Sequence, residues 1–309
     1  MQSPSKRKIV IPGGAGYLGQ AFAAHFAAQG DQVYILSRRA QPDAGNIHYL
    51  AWDGATLGPW ASVFDGADAV INMAGRTVNC RYNARNKRQI YDSRLRSTRV
   101  IGQAIATCAR PPRVWLNASS ATIYRDADDR EVDEASGEIG SGFSVDVCQK
   151  WEFELWNSPT PHTRKVALRM AVVFGRGKGG PAEAFANIVR LGLGGTQGNG
   201  RQYVSWIHMA DCIRSLEWLL AHEALSGPVN LAAPNPLPNR EFMRTFRQMC
   251  RQPIGLPANR LMLEVGAFFL RTETELLLKS RRVVPGRLRE SGFSFAYPTF
   301  AEALHEILH

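Results

Sequence analysis

An apolar run, Ile9-Val10-Ile11-Pro12, empties directly into Gly13-Gly14-Ala15-Gly16-Tyr17-Leu18-Gly19, and this spacing is the first chemistry that the chain offers. Glycines at the first, fourth and seventh places of the segment let the backbone turn tightly, approach a pyrophosphate closely and pack the next helix against a sheet. The free N–H groups and positive dipole end of a helix starting there stabilise anionic oxygens. A second group, Ser37-Arg38-Arg39, closes the next apolar run at 32–36. An NAD site carries an acidic residue at this point to hold the adenosine ribose hydroxyls, whereas a guanidinium suits a 2′-phosphate, which it meets with two parallel hydrogen bonds. Behind the glycine turn, two arginines in place of an acid predict NADP(H) as the cofactor.

Further along, each apolar run ends in residues suited to a ligand crossing a sheet. The run at 47–52 stops at Asp53, which either accepts from an adenine amino group or only forms the Asp53-Gly54 turn. Met73 closes the run at 69–73, and the small Ala74 and Gly75 after it leave room for a dinucleotide to lie across the strand end. Within a helix expected over 86–109, most arginines form a solvated face, and Arg94 is the candidate phosphate or ribose contact. The run at 114–118 leads into the hydroxyl pair Ser119 and Ser120, with Tyr124 shortly after, in the crevice where open α/β sheets bind ligands. A strand expected over 166–174 carries Arg169 inside an apolar run, and a buried arginine needs a partner or a ligand. The glycine-rich 175–180, with Arg176 and Lys178, reads either as a mobile, anion-tolerant loop over the site or as a crossing between domains. His208 and Asp211 sit where a strand becomes a helix and have the placement of a helix cap.

Strands alternating with helices at this rhythm specify a parallel sheet covered on both faces, an α/β fold of the doubly wound Rossmann type. An acidic, turn-rich stretch at 126–142 precedes a helix expected over 144–155. From Pro234 onward short helices and prolines take over, with Leu276-Leu277-Leu278, Val283-Val284-Pro285 and Gly292-Phe293, so a smaller C-terminal α/β substrate domain is expected over 234–309. The Rossmann domain would then span 1–233, with 176–204 on the substrate side.

The chain has 309 residues, and its 37 Lys and Arg against 27 Asp and Glu give a net charge of +10. The basic residues are scattered, with no basic arm and interleaved aromatics, so the expectation is an anionic small-molecule ligand and no nucleic acid. Five cysteines without paired spacing read as reduced thiols, and no metal is expected. No apolar stretch reaches the roughly 20 residues of a membrane span, and no apolar signal core follows the first residues. The expected place is the cytoplasm, with no membrane partner; a homodimer is allowed.

These pieces together resemble the extended short-chain dehydrogenase/reductases, within them the atypical epimerase-like branch that includes bacterial YfcH-type proteins and the human family 39U. The resemblance is carried by Gly13 to Gly19, Asn72-Met73-Ala74-Gly75, Ser93-Arg94, Trp151-Glu152, Leu191-Gly192-Leu193-Gly194-Gly195, Ser205-Trp206-Ile207-His208 and the tail from Val283 to Phe293. It implies NADP bound through Gly13, Gly16, Gly19, Ser37, Arg38, Met73, Ala74, Gln89 and Arg94. The chain departs from the family in two places. Pro12 replaces a threonine before the first glycine, removing a hydroxyl and a backbone donor. The Tyr-x-x-x-Lys pair is missing: with Trp151-Glu152 on the usual glutamate, Ser144 falls on the tyrosine and Cys148 on the lysine.

In the family mechanism that lysine orients the nicotinamide ribose and lowers the tyrosine pKa, so that the phenol exchanges a proton as hydride moves. Lys150 does not rescue the pair, because two residues along a helix turn it about 200° away from position 148. Tyr124 and Ser120 remain as substitute proton carriers. The leading expectation is an oxidoreductase or epimerase acting on a small polar, nucleotide-linked or free, substrate; the rival is a catalytically silent NADP(H)-binding redox sensor or partner-binding module.

Overall fold

The computed structural model describes residues 6–39, 41–259, 262 and 279–309. Its centre is a seven-stranded, all-parallel sheet in the order β10-β6-β5-β4-β1-β2-β3. The strands are β1 (Lys8–Pro12), β2 (Gln32–Ser37), β3 (Ile47–Ala51), β4 (Ala69–Asn72), β5 (Val114–Ser120), β6 (Arg164–Met170) and β10 (Gly227–Leu231). Such strands are buried on both faces and so read as continuous apolar runs: Ile9, Val10 and Ile11 have no exposed surface, nor do Val70 and Ile71. Helices α1 (Tyr17–Ala28), α2 (Ala84–Ala106), α3 (Phe143–Trp156) and α5 (Met209–Ala221) connect them. One core lies under α1 and α5, where Phe22, Phe26, Leu216 and Leu219 pack on the sheet. A second lies under α2, where Val100, Ile101, Ala104 and Ile105 meet Trp115 and Leu155.

The strand order reverses between β1, whose next neighbour in sequence lies on one side, and β4, which lies on the other. Open α/β sheets bind ligands outside the carboxyl ends at such a point. There the Gly13 amide donates to the Leu36 carbonyl at 2.8 Å and the Met73 amide to the Pro12 carbonyl at 2.8 Å. Pro12, which has no N–H, thus still serves the sheet as an acceptor.

The expected single strand at 166–174 is two. After β6 the chain turns at Ala171, whose amide goes to Leu231 at 3.0 Å, while that of Val172 goes to Ser205 at 3.2 Å. The second piece, β7 (Val172–Phe174), leaves the main sheet and pairs in parallel with β9 (Trp206–His208). Two further short strands, β8 (Tyr203–Val204) and β11 (Leu237–Pro238), pair antiparallel. Around them α4 (Pro181–Ile188), α6 (Asn239–Met249) and the last helix, Phe300–Leu308, enclose a separate aromatic core of Phe174, Trp206, Phe242, Phe246 and Phe300. Thr299 starts that last helix with a capping box to Glu302. The expected Leu276-Leu277-Leu278 element lies outside the described residues.

Candidate functional site

Two joined cavities open at the carboxyl ends of the strands. The outer, of about 1060 Å³, is lined by Gly13, Gly16, Ser37, Arg38, Arg39, Asp53, Ala74, Gly75 and Gln89 of the expected set, and by Arg76 and Arg96 in addition. The inner, of about 490 Å³, takes Tyr17, Leu18, Met73, Arg94, Ser119 and Ser120, together with Thr122, Ser144, Cys148 and Trp151. Gly75 and Arg76 line both. Gly19 faces neither; a Cβ there would lie 2.4 Å from Gly14 Cα, so this glycine seats helix α1 on its own turn.

At the turn, each glycine has its own reason. Gly13 has φ of +75° and meets Ala74 so closely that a Cβ would come within 2.5 Å of its Cα. Gly16 is the N-cap of α1, and a Cβ on it would find only the Gly13 carbonyl oxygen, at 3.9 Å, so the space before the helix is open. Across the outer cavity Arg38 and Arg39 are exposed, and neither has a carboxylate partner among the described residues. Ser37 is turned inward, its hydroxyl donating to the Arg39 carbonyl, which fixes the strand end. Asp53 lines the cavity and also forms a turn: it accepts from the amides of Ala55 at 2.8 Å and Thr56 at 2.9 Å and from the Thr56 hydroxyl at 2.6 Å. The Thr56 hydroxyl, then the two amides, hold its carboxyl down to about 2. Gln89 is exposed and accepts from Arg76.

The inner cavity is floored by α2 and α3. Ser144, Cys148 and Trp151 share one face of α3, at i, i+4 and i+7, and all three line it. The Ser144 hydroxyl is buried and has no hydrogen-bond partner among the described residues. Burial pushes the Cys148 thiol up to about 12, so this position carries no charge at neutral pH. Ser120 holds the Thr122 hydroxyl at 2.9 Å and accepts the Thr122 amide, capping a short turn at Ala121–Ile123.

Beneath this floor runs a buried polar chain that the sequence only partly announces. Ser119 donates to Glu152 at 2.7 Å, and Glu152 takes Arg169 through two bonds of 2.9 Å. Arg169 then donates to the Tyr124 hydroxyl at 3.0 Å, and that hydroxyl donates to Asn230 at 2.8 Å. Burial opposes the Arg169 charge, but its contacts with Glu152 outweigh that and hold its pKa up. The buried arginine therefore has a partner rather than a ligand. Tyr124, one of the two expected proton carriers, is completely buried and lines neither cavity, and burial raises its pKa. Its hydroxyl is spent inside the protein.

His208 is a cap, as its placement at the strand end suggested. Its Nδ1 accepts the Ala210 amide at 3.2 Å, which leaves Nε2 to donate to Glu306 at 3.0 Å. Asp211, fully buried, accepts the amides of Ala296 and Tyr297 at 2.8 Å each and so pins the C-terminal segment to α5. Glu306 also takes Arg176 of the 175–180 loop at 2.9 Å. That loop wraps Tyr17, whose hydroxyl donates to the Arg176 carbonyl at 3.3 Å. Arg76 and Arg96 are cavity residues that sequence reading missed; for Arg76 its adjacency to Ala74-Gly75 was the available signal. Among the described residues no group of His, Cys, Asp and Glu is arranged to hold a metal, and no helix is long and apolar enough to cross a membrane.

A model of the NAD dependent epimerase/dehydratase family matches residues 9–232, and a domain of unknown function (DUF1731) matches 260–307. An epimerase family protein of Mycobacterium leprae (strain TN) is 32% identical over 98% of this chain and 96% of its own length. The crystal structure of human epimerase family protein SDR39U1 (isoform 2) with NADPH superposes with a TM-score of 0.85 at 30% identity, covering 97% of this chain and 98% of that one. A nucleoside-diphosphate sugar epimerase from Corynebacterium glutamicum superposes at 0.79 with 26% identity, over 98% of this chain and 58% of that one. With the glycine turn at the switch point of a seven-stranded parallel sheet, these likenesses settle the relationship: the chain belongs to the NAD dependent epimerase/dehydratase family, within the extended short-chain dehydrogenase/reductases.

Proposed function

We propose that the protein is an NADP(H)-binding oxidoreductase or epimerase-like enzyme that transfers hydride to or from a small polar substrate held in the inner cavity. The observation that carries this reading is the outer cavity itself: a glycine turn open in front of Gly16 faces Arg38 and Arg39, which have no carboxylate partner among the described residues. The residues present fit the cofactor. The N–H groups at the start of α1 would hold the pyrophosphate, and Arg38 with Arg39 the 2′-phosphate, while Asp53 bounds the adenine end. Ala74 and Gly75 would provide the small, close floor, with Met73 beside them on the inner cavity. When bound, NADP(H) supplies the hydride donor or acceptor.

On the substrate side, Ser120 and Thr122 present linked hydroxyls to the inner cavity, and Ser144 presents one with no partner among the described residues. They would orient a substrate oxygen by hydrogen bonding, and Ser120 is the remaining candidate to pass a proton at that oxygen. The reading is supported by the human relative crystallised with NADPH and by the nucleotide-sugar epimerase among the similar folds. We place the division between the domains at 233/234, with 176–204 facing the substrate. The neutral pair Ser144 and Cys148 favours a second reading, a silent NADP(H) sensor. Titration with NADPH, followed by a panel of carbonyl compounds and nucleotide sugars monitored at the nicotinamide absorbance, tests both: turnover establishes the enzyme, tight binding without turnover favours the sensor, and no binding rejects both.

A further inference from the structure

We propose that the outer face of α6, with the two loops that border it, docks on the surface of an anionic lipid bilayer. Arginines there meet the headgroup phosphates, and four aliphatic side chains enter the interface beside them. The inference goes beyond the reading of the two cavities and does not depend on it.

Folding gathers here charges that look scattered along the sequence. Arg240, Arg244 and Arg247 stand at i, i+4 and i+7 of α6 and so share one face, while Phe242, Met243 and Phe246 are buried on the other side. Arg251 follows just beyond the helix end, and with Arg244 and Arg247 it lines an open cavity of about 390 Å³. Arg240, Arg244 and Arg251 are exposed, and none of the four arginines pairs with a carboxylate among the described residues. Glu241 is the one acid of α6, and no Asp or Glu occurs in 184–195 or 242–258. Arg251 has φ of +52°, in the left-handed region where helices commonly close on glycine. The chain thus keeps a charged side chain at a position whose backbone favours none.

The bordering loops carry the apolar component. Leu191 and Leu193 on one loop, and Ile254 and Leu256 on the other, are 51–75% exposed. Backbone bonds hold the loops side by side: the Leu256 amide donates to the Gly192 carbonyl at 2.8 Å, and the Gly195 amide to the Leu256 carbonyl at 3.1 Å. Arg247 ties them to the helix, its Nη1 donating to the Gly194 carbonyl at 2.7 Å. None of the four aliphatic residues lines either cavity of the functional site.

Charge and side-chain type choose the partner. Grouped apolar residues rimmed by polar ones mark a contact surface. A surface built for a protein centres on Trp, Tyr and Arg anchors, and leucine is under-represented there; the large apolar groups exposed on these loops are all aliphatic. Aliphatic side chains beside arginines suit the headgroup region of a bilayer, where apolar area is buried at the acyl boundary and an anionic leaflet attracts each basic residue. Docking of this kind needs no spanning segment, so the expectation of no membrane partner, which rested on the lack of a span, does not bear on it.

The test is co-sedimentation of the full chain with vesicles, either of phosphatidylcholine alone or of equimolar phosphatidylcholine and phosphatidylglycerol. The chain is expected to bind the anionic vesicles, to ignore the neutral ones, and to lose binding as salt is raised. Arg244→Glu with Arg251→Glu, and separately Ile254→Ser with Leu256→Ser, should each weaken binding by about 10-fold or more. All four residues are exposed and lie outside both cavities, so the urea midpoint and NADPH affinity should stay those of the wild type. If a pair lowers the urea midpoint, the single changes Arg251→Gln and Ile254→Ser take its place, each with an expected loss of about threefold or more. A wild type that does not bind anionic vesicles, or a folded variant of either kind that binds as the wild type does, overturns the proposal. Release by inorganic phosphate beyond that caused by chloride at equal ionic strength would reveal a site for free phosphate and also overturns it. So does a chain that ignores the vesicles and instead binds a synthetic peptide of alternating Glu and Leu, which would make the surface a protein interface.

Discussion

Gly13 and Ala74 stand in backbone contact: a Cβ on the glycine would lie 2.5 Å from Ala74 Cα and 2.6 Å from its amide nitrogen. This is where the turn after β1 meets the end of β4, so the two strands flanking the switch point are joined by a close approach that only glycine allows. Gly16, three residues on, touches almost nothing.

The two glycines should therefore fail differently. Gly13→Ala combines a left-handed φ with a clash against fixed backbone and is expected to cost about 2 kcal/mol or more of stability. Gly16→Val points into open space and should keep the urea midpoint of the wild type while losing NADPH affinity by more than about 10-fold. A destabilised Gly16→Val chain, or one that binds NADPH normally, would show that the turn serves the fold alone.

Cofactor choice depends on the end of β2. Because Arg38 and Arg39 replace an acid there, NADPH is expected to bind more tightly than NADH. Arg38→Asp should narrow or reverse the preference, since the loss of one charge-assisted contact costs about 1.5–3 kcal/mol. Parallel titrations with the two nucleotides give the answer, and equal wild-type affinity for both would sink the assignment.

The strands of the main sheet were legible because a strand buried on both faces is apolar throughout, as in 9–11, 69–71 and 114–116. The glycine and arginine groups were legible because a turn and a strand end are local. The break at Ala171 was not, since the residues on either side of it, 170–174, are apolar throughout; the chain turns because Ser205 and Leu231, far along the sequence, take its amides. The surroundings of Tyr124 were hidden for the same reason. Its partners, Arg169 and Asn230, lie 45 and 106 residues away, and its position after a strand end says nothing of them. Arg76 was passed over because its role comes from a neighbour on α2, not from a motif.

A pH dependence follows from His208. Burial lowers its pKa below the ordinary 6.5, against the opposing pull of Glu306. The groups that face it are Glu306, Asp211 and Arg176, with the Tyr297 ring 3.9 Å away. As pH falls through 6.5 the unfolded chain takes up the proton first, so stability is complete above that value and declines as pH falls toward the folded pKa. Although burial works against it, Glu306 is held below its ordinary value by Arg176 and His208, and it adds a further loss below about pH 4.5. Urea midpoints at pH 7.5 and 5.5 should thus drop less for His208→Gln than for the wild type. Losing the cap to Ala210 lowers both midpoints alike and does not disguise the difference; equal drops would remove His208 from the account.

Tyr124→Phe separates structure from chemistry at the position that sequence reading favoured for proton transfer. The variant keeps the ring and its packing but leaves Asn230 Oδ1 and one Arg169 N–H facing a hydrogen-bond vacancy in the interior. An unsatisfied buried partner costs about 1–3 kcal/mol, so the urea midpoint should fall clearly. NADPH affinity should not change, because the Tyr124 hydroxyl lines neither cavity. Any turnover should also persist within about twofold, whereas removing a working general acid or base would lower it by about 10²–10⁴-fold. Ser120→Ala is the companion measurement: its hydroxyl does line the inner cavity, and its loss should lower turnover while disturbing the fold only through one turn cap. A large loss of turnover in Tyr124→Phe at full NADPH occupancy would return the proton to the tyrosine and require the buried chain from Ser119 to Asn230 to open during the reaction.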